Sequence, residues 1–200
     1  GVIISSSGKP SEQCQKKKKK ANRMLGLIKR NFKSRSKDVV VRLYKTLVRP
    51  RLEYCVQSWC PYLQKDIAVL EKVQRRATKM ILACRTDSYE DRLKYTELTS
   101  LECRRRRGDM IEVFKLLNGV EKIDYNILIQ RAEKTGRRGH SYKLVKHRAR
   151  LDLRKFYFSN RVVNTWNSLP ESVVVAGTVN SFKARLDAYI RAKGSGWFVR

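Results

Sequence analysis

Apolar residues recur along most of this chain at intervals of three and four, the spacing that gathers them on one face of an α-helix. After Val2-Ile3-Ile4, which reads as a short strand, and a turn over Ser5 to Pro10, the pattern predicts a helix from about Ser11 to Phe32. Its second half would bury Met24, Leu25, Leu27, Ile28 and Phe32. Ser36 suits the N-cap of the next helix, with Asp38 favourable in its first turn. Val39, Val40, Leu43, Tyr44, Leu47 and Val48 continue that pattern, Pro50 interrupts it, and Leu52, Cys55, Val56 and Trp59 resume it. This is either two helical pieces or one helix kinked at Pro50. The cleanest period runs from about Lys65 to Cys84, with Ile67, Leu70, Val73, Ala77, Met80, Ile81 and Cys84 inward. On its opposite face fall Lys72, Arg75, Arg76 and Lys79.

Further on, Ser88-Tyr-Glu-Asp reads as a capped short helix, and a long helix from about Ser100 to Leu117 ends at Asn118-Gly119. A short apolar helix is expected near Tyr125 to Ile129 and a short strand near 142–146. Helices then run from Arg154 to Leu169, with Tyr157 inward and Pro170 as the stop, and from a Thr178 cap through Val179, Phe182, Leu186 and Tyr189. The expected fold is mainly α, a helical bundle followed by a helical C-terminal region. The segments are 1–10, 11–85, 86–135, 136–192 and a tail over 193–200.

Charge changes the picture most. The chain has 200 residues, with 46 Lys and Arg against 18 Asp and Glu, a net charge of +28. Residues 1–100 hold 24 basic and 9 acidic residues and 101–200 hold 22 and 9, so no basic tail accounts for the excess. A fold that is basic throughout repels itself, and a polyanion relieves the repulsion. Nucleic acid is the expected partner, since each phosphate contact releases counterions. The longest stretch free of charged residues is far shorter than the roughly 20 residues of a membrane helix, and no lipidation signal accompanies the charge, so no membrane partner is expected. The N-terminus lacks the basic start and apolar run of a signal peptide. Five irregularly spaced cysteines then read as reduced thiols of an intracellular protein. With no initiator Met, the chain reads as part of a longer protein.

The candidate phosphate-binding residues follow from where cations cluster. Lys16, Lys17, Lys18, Lys19 and Lys20 occupy every side of one helix and so must meet solvent or phosphate; the same run would also serve as a nuclear-localisation signal. Arg23, Lys29, Arg30 and Lys33 continue it. Lys72, Arg75, Arg76 and Lys79 form the second group, and Arg104 and Arg105 open the fourth long helix. Arg137, Arg138 and His140 flank Gly139 in what is either a flexible clamp or a solvated loop. Trp59 and Tyr62 are candidates for base stacking or for the core, and Trp166 is assigned to the core.

Catalytic and metal chemistry find little support. Cys55-x4-Cys60 and His140-x6-His147 lack the close second pair of a zinc site. No nucleophile elbow, phosphate loop or Asp-Asp pair occurs, and the adjacent Glu90-Asp91 falls in the first turn of a helix, where the dipole favours carboxylates. A metal-dependent nuclease would have to rely on Glu53, Asp66 or Glu71.

Several segments are nevertheless familiar. V-V-V-R-L-Y-K-T-L-V-R-P-R-L-E-Y-C-V-Q-S-W (39–59) and L-E-K-V-Q-R-R-A-T-K-M-I (70–81) resemble the region after the polymerase palm in LINE-type, jockey-like non-LTR retrotransposon reverse transcriptases. S-L-E-C-R-R-R-R-G-D-M-I-E-V-F-K (100–115), R-G-H-S-Y-K-L (138–144), F-S-N-R-V-V-N-T-W-N-S-L-P (158–170) and V-N-S-F-K-A-R-L-D (179–187) follow in the same order. The resemblance implies an RNA-directed DNA polymerase as parent, with Val2 to Ile4 as the palm-edge strand, 11–85 as the thumb, and an upstream palm and fingers. The palm, absent here, would bind the parent's Mg²⁺, and this chain would carry no cofactor. The chain would grip an RNA and DNA template–primer duplex by its backbone, in the nucleus. The alternative is a basic structural RNA-binding protein of a ribonucleoprotein. Two stretches depart from the family, the Lys16 to Lys20 run and the tail beyond Ile190.

Overall fold

A computed structural model describes residues 1–84, 86–132 and 139–194. The fold is mainly α, as the spacing predicts, and divides into two compact units, residues 1–105 and 106–200.

In the first unit α1 (Ser11–Asn31) carries a buried row, Cys14, Lys17, Ala21, Leu25 and Ile28, at intervals of three and four. Leu27 and Phe32, expected inside, are exposed. The row packs against α5 (Gln64–Thr78), whose inward residues are Leu70, Val73 and Ala77, and against the helical stretch around Pro50. The first residues form no strand: the Ile3 amide donates to the Gln13 side chain (3.0 Å), a partner that replaces a ladder bond.

Between these helices the helical backbone continues through Pro50 without interruption. It runs through α2 (Lys37–Leu43), one wide π turn over Tyr44–Val48, and α3 (Arg49–Glu53). Proline has no N–H to donate, and its ring crowds the carbonyl four residues back. The π turn lies just before it, where Arg49 donates to the Tyr44 carbonyl five residues earlier. The Thr46 hydroxyl donates to the Arg42 carbonyl (2.9 Å). The same widening rotates Leu47, expected inward, to the surface. The true break is at Cys55, in the left-handed region (φ 55°), after which α4 (Val56–Trp59) begins. Beyond α5, a 3₁₀ turn at Leu82–Cys84 leads to α6 (Tyr89–Thr96), whose N-cap Ser88 accepts from the Asp91 amide (3.2 Å). The core of this unit joins the α1 and α5 rows to Val40, Tyr44, Val48, Leu52, Val56 and Trp59, closed by Ile81, Cys84 and Leu101.

Helix α7 (Leu101–Leu117) ends at Gly119 (φ 64°), a left-handed position that glycine adopts without a Cβ clash. The expected helix near Tyr125 is a single 3₁₀ turn, Tyr125–Ile127. The expected strand at 142–146 shrinks to one antiparallel bridge, Leu144 with Arg131, flanked by bonds from Ala132 N to Lys143 O and from Val145 N to Gln130 O (both 2.8 Å). Instead of one helix over 154–169 there are two, α8 (Asp152–Lys155) and α9 (Phe158–Asn167), and Tyr157 is the extended, half-exposed N-cap residue between them. Then come α10 (Glu171–Val174) and α11 (Val179–Lys193), the latter capped by Thr178 accepting from the Ser181 amide (3.1 Å). The second core centres on Phe114, stacked on Phe182 with ring centroids 4.3 Å apart, and on the fully buried Trp166. No described helix is long and apolar enough to cross a membrane.

Candidate nucleic-acid interface

Lys72, Arg75 and Arg76 lie on successive turns of α5 and Lys79 caps its C-terminus, and their spacing of three, four and seven places them on its outer face. All four are exposed, while Leu70, Val73 and Ala77 on the other side are buried, as the periodicity predicts. With Thr86, Asp87, Tyr89 and Arg92 they line a concavity of about 480 Å³. Five cations thus share that space with one carboxylate, Asp87.

Two of the lining residues carry no signal in the charge pattern. Tyr89 and Arg92 lie three residues apart on α6, the i, i+3 relation that puts side chains on one face. The Arg92 side chain is buried, held by Nε donating to Thr78 Oγ1 (3.1 Å) and by Nη1 donating to the Asp87 carbonyl. Arg75 Cζ lies 4.0 Å from the Tyr89 ring centre. The Ser88 cap, readable in sequence, sets the start of α6 and therefore this pairing.

Behind the groove is a closed polar network. Tyr44 Oη donates to Gln74 Oε1 (2.7 Å), and Gln74 Nε2 donates to Tyr89 Oη (2.9 Å) and to the Thr99 carbonyl (3.0 Å). The Tyr89 hydroxyl donates to Glu71, whose other oxygen accepts from the Leu101 amide (3.1 Å) at the start of α7. Burial raises the Glu71 carboxyl above the ordinary carboxylate range, against the lowering effect of its hydrogen bond from Tyr89. Burial likewise raises the Tyr44 hydroxyl.

The α1 lysines divide. Lys19, Lys20, Arg23, Lys29 and Arg30, with Lys33 just beyond, are exposed, and Lys16 and Lys18 partly so. None of them lines the α5–α6 groove. Lys17 is buried, contrary to the expectation that the whole run meets solvent or phosphate. Position 17 falls in the inward row of α1, and its ammonium lies 4.8 Å from the Tyr54 ring centre and 5.9 Å from that of Trp59. Burial, then the Lys20 charge, lowers its pKa. Trp59 Nε1 donates to the Tyr54 carbonyl (2.9 Å), so the break at Cys55 holds both rings where they receive Lys17. Trp59 is thus a core residue.

Arg104 and Arg105 also serve the interior. Arg104 forms a two-toothed pair with Glu53, Nε to Oε1 (2.5 Å) and Nη2 to Oε2 (3.1 Å). Arg105 is buried, one helical turn after Leu101. His140 is buried against Trp166: its Nε2 donates to the Trp166 carbonyl (3.0 Å), and Nδ1 accepts from the Tyr142 amide (3.2 Å). Burial lowers its pKa. Arg137 and Arg138 lie outside the described residues.

Comparisons with protein-family models, curated proteins and solved structures give no match. Among the described residues, no three His, Cys, Asp or Glu side chains gather as a metal site, and the cysteines form no disulfide with one another. The three carboxylates considered for a nuclease are each engaged elsewhere: Glu53 with Arg104, Asp66 by the Ser11 hydroxyl (2.6 Å), and Glu71 in the network behind the groove. An exposed cationic concavity with a hydrogen-bonded floor can hold phosphate oxygens. The five cations around its one carboxylate, Asp87, repel a metal cation.

Proposed function

We propose that this chain binds nucleic acid through its phosphate backbone, as the thumb and C-terminal part of a LINE-type reverse transcriptase. The observation that carries the reading is the α5–α6 groove, where four exposed cations face the fixed Arg92 and a single carboxylate. The collinear sequence segments supply the family. In that role the groove holds the template–primer duplex of RNA and DNA while the palm, upstream, performs chemistry with Mg²⁺. The exposed part of the α1 run adds further phosphate contacts and gives the protein a nuclear address. Phosphate contacts hold any sequence equally, which suits a polymerase thumb.

Replacing Lys72, Arg75, Arg76 and Lys79 with Gln tests this, since Gln keeps helix propensity on a solvent-facing surface. On duplex DNA, the slope of log affinity against log salt is expected to fall by about 0.9 per lost contact, up to about 3.6 for four. The loss should be alike for unrelated sequences. A slope equal to that of the unaltered protein would make the groove a solvated surface and overturn the reading.

A further inference from the structure

Carboxylates in the second unit are unevenly matched to cations. Arg161 pairs with Asp109 through both oxygens (2.9 Å each), Arg107 with Asp187 (2.5 and 2.8 Å), and Lys115 with Glu121 (2.8 Å). Glu171 receives the Ser141 amide and hydroxyl (3.0 Å each). By contrast, Arg148, Arg150 and Arg154 are exposed and have no carboxylate within salt-bridge distance among the described residues. The stretch from Lys146 to Ala149 has neither helix nor ladder, and α8 follows it after two residues. Tyr157 stands just beyond α8 with half its surface in solvent.

We infer that residues 146–157 form a second nucleic-acid site, specific for single strands, on a different unit from the α5–α6 groove. An irregular backbone presenting successive unpaired arginines can follow a flexible phosphate chain. A neighbouring exposed aromatic ring gives an unstacked base a platform, the combination by which proteins hold single strands without reading sequence. A duplex keeps its bases stacked and has no use for Tyr157. Leu151 and Leu153 are exposed as well, but one leucine on a four-residue helix and one just before it fall short of the broad apolar face of a membrane-surface helix.

The test uses the full chain, a 20-nucleotide oligouridylate and a duplex of equal length, titrated across salt by fluorescence anisotropy. Changing Arg148, Arg150 and Arg154 to Gln is expected to lower the salt slope on the single strand by about 0.7 per contact, roughly 2 in all. The same three positions as Lys should keep the slope. Tyr157→Ala should weaken single-strand binding severalfold and leave duplex binding unchanged. The inference is overturned if the Gln variant and Tyr157→Ala both bind the oligouridylate as the unaltered protein does. It is equally overturned if the Gln variant loses sedimentation with phosphatidylserine vesicles while its oligonucleotide binding is intact. The α5 variant separates this inference from the proposed function: loss of slope there alone leaves the groove and removes this site, and loss only in the 148–154 variant does the reverse.

Discussion

The guanidinium carbon of Arg75 lies 4.0 Å from the centre of the Tyr89 ring, whose hydroxyl donates to the buried Glu71. One side chain is therefore both a wall of the cationic groove and a member of the network that ties α5 to the start of α7. Tyr89→Phe separates the two roles, because it keeps the ring under Arg75 and removes the hydroxyl. It leaves Glu71 and Gln74 each short of a partner, which is expected to cost about 1–3 kcal/mol in urea denaturation. The salt slope of duplex binding should not change.

Glu71 makes stability depend on pH in a definite direction. Burial raises its folded-state pKa above the unfolded value of about 4.3. The folded chain then holds that proton more tightly than the unfolded chain. The group's contribution is most favourable below the unfolded pKa and diminishes as pH rises through the folded one. Denaturation of the unaltered protein and of Glu71→Gln between pH 4 and 7 should show a difference that moves against the unaltered protein as pH rises. A difference constant across that range would show that the carboxylate is no harder to ionise in the fold.

Within the lysine run, position decides function. Lys17 faces Tyr54 and Trp59, whereas Lys19 and Lys20 face solvent. Lys17→Gln is expected to leave the salt slope of duplex binding where it was. The paired change Lys19→Gln and Lys20→Gln should lower it by up to about 1.8. Equal effects from all three would mean that Lys17 leaves its aromatic contacts to meet phosphate.

In the second unit the Arg161–Asp109 pair is nearly enclosed, with side chains 14% and 5% exposed. Asp109→Ala strands the guanidinium without its charge partner and is expected to destabilise by about 3–5 kcal/mol, read from denaturant midpoints. Lys94→Ala, which removes an exposed pair with Asp91, should move the midpoint far less.

Much of this was legible in the chain. The three-four spacing located α1, α5, α7 and α11, and the Ser88 and Thr178 caps marked where two helices begin. The α5 stripe was visible because its cations and apolar residues separate cleanly by angle. Lys17 could also have been placed, since it completes the row Cys14, Ala21, Leu25, Ile28; the unbroken lysine run hid the period. The break at Cys55 was not visible. Proline is the stronger breaker by local rule, yet a single π turn accommodates Pro50, and a left-handed cysteine has no sequence signature. Arg104 and Arg105 looked like surface cations because the carboxylate that takes Arg104 lies fifty-one residues away in the chain.

The inward placement of acidic groups has a consequence for the medium in which the protein is handled. Asp66 and Asp109 are buried and Glu53 and Glu71 are engaged by Arg104 and Tyr89, while Lys17, Arg92 and Arg105 are the buried cations among the described residues, so the folded exterior keeps the strongly cationic balance of the composition. Added electrolyte shields that exterior from itself and firms the native state, while the same ions compete with the protein for phosphate. A buffer chosen for the highest melting temperature will therefore be a poor one for seeing the ligand, and the two scales should rank ionic strengths in opposite order.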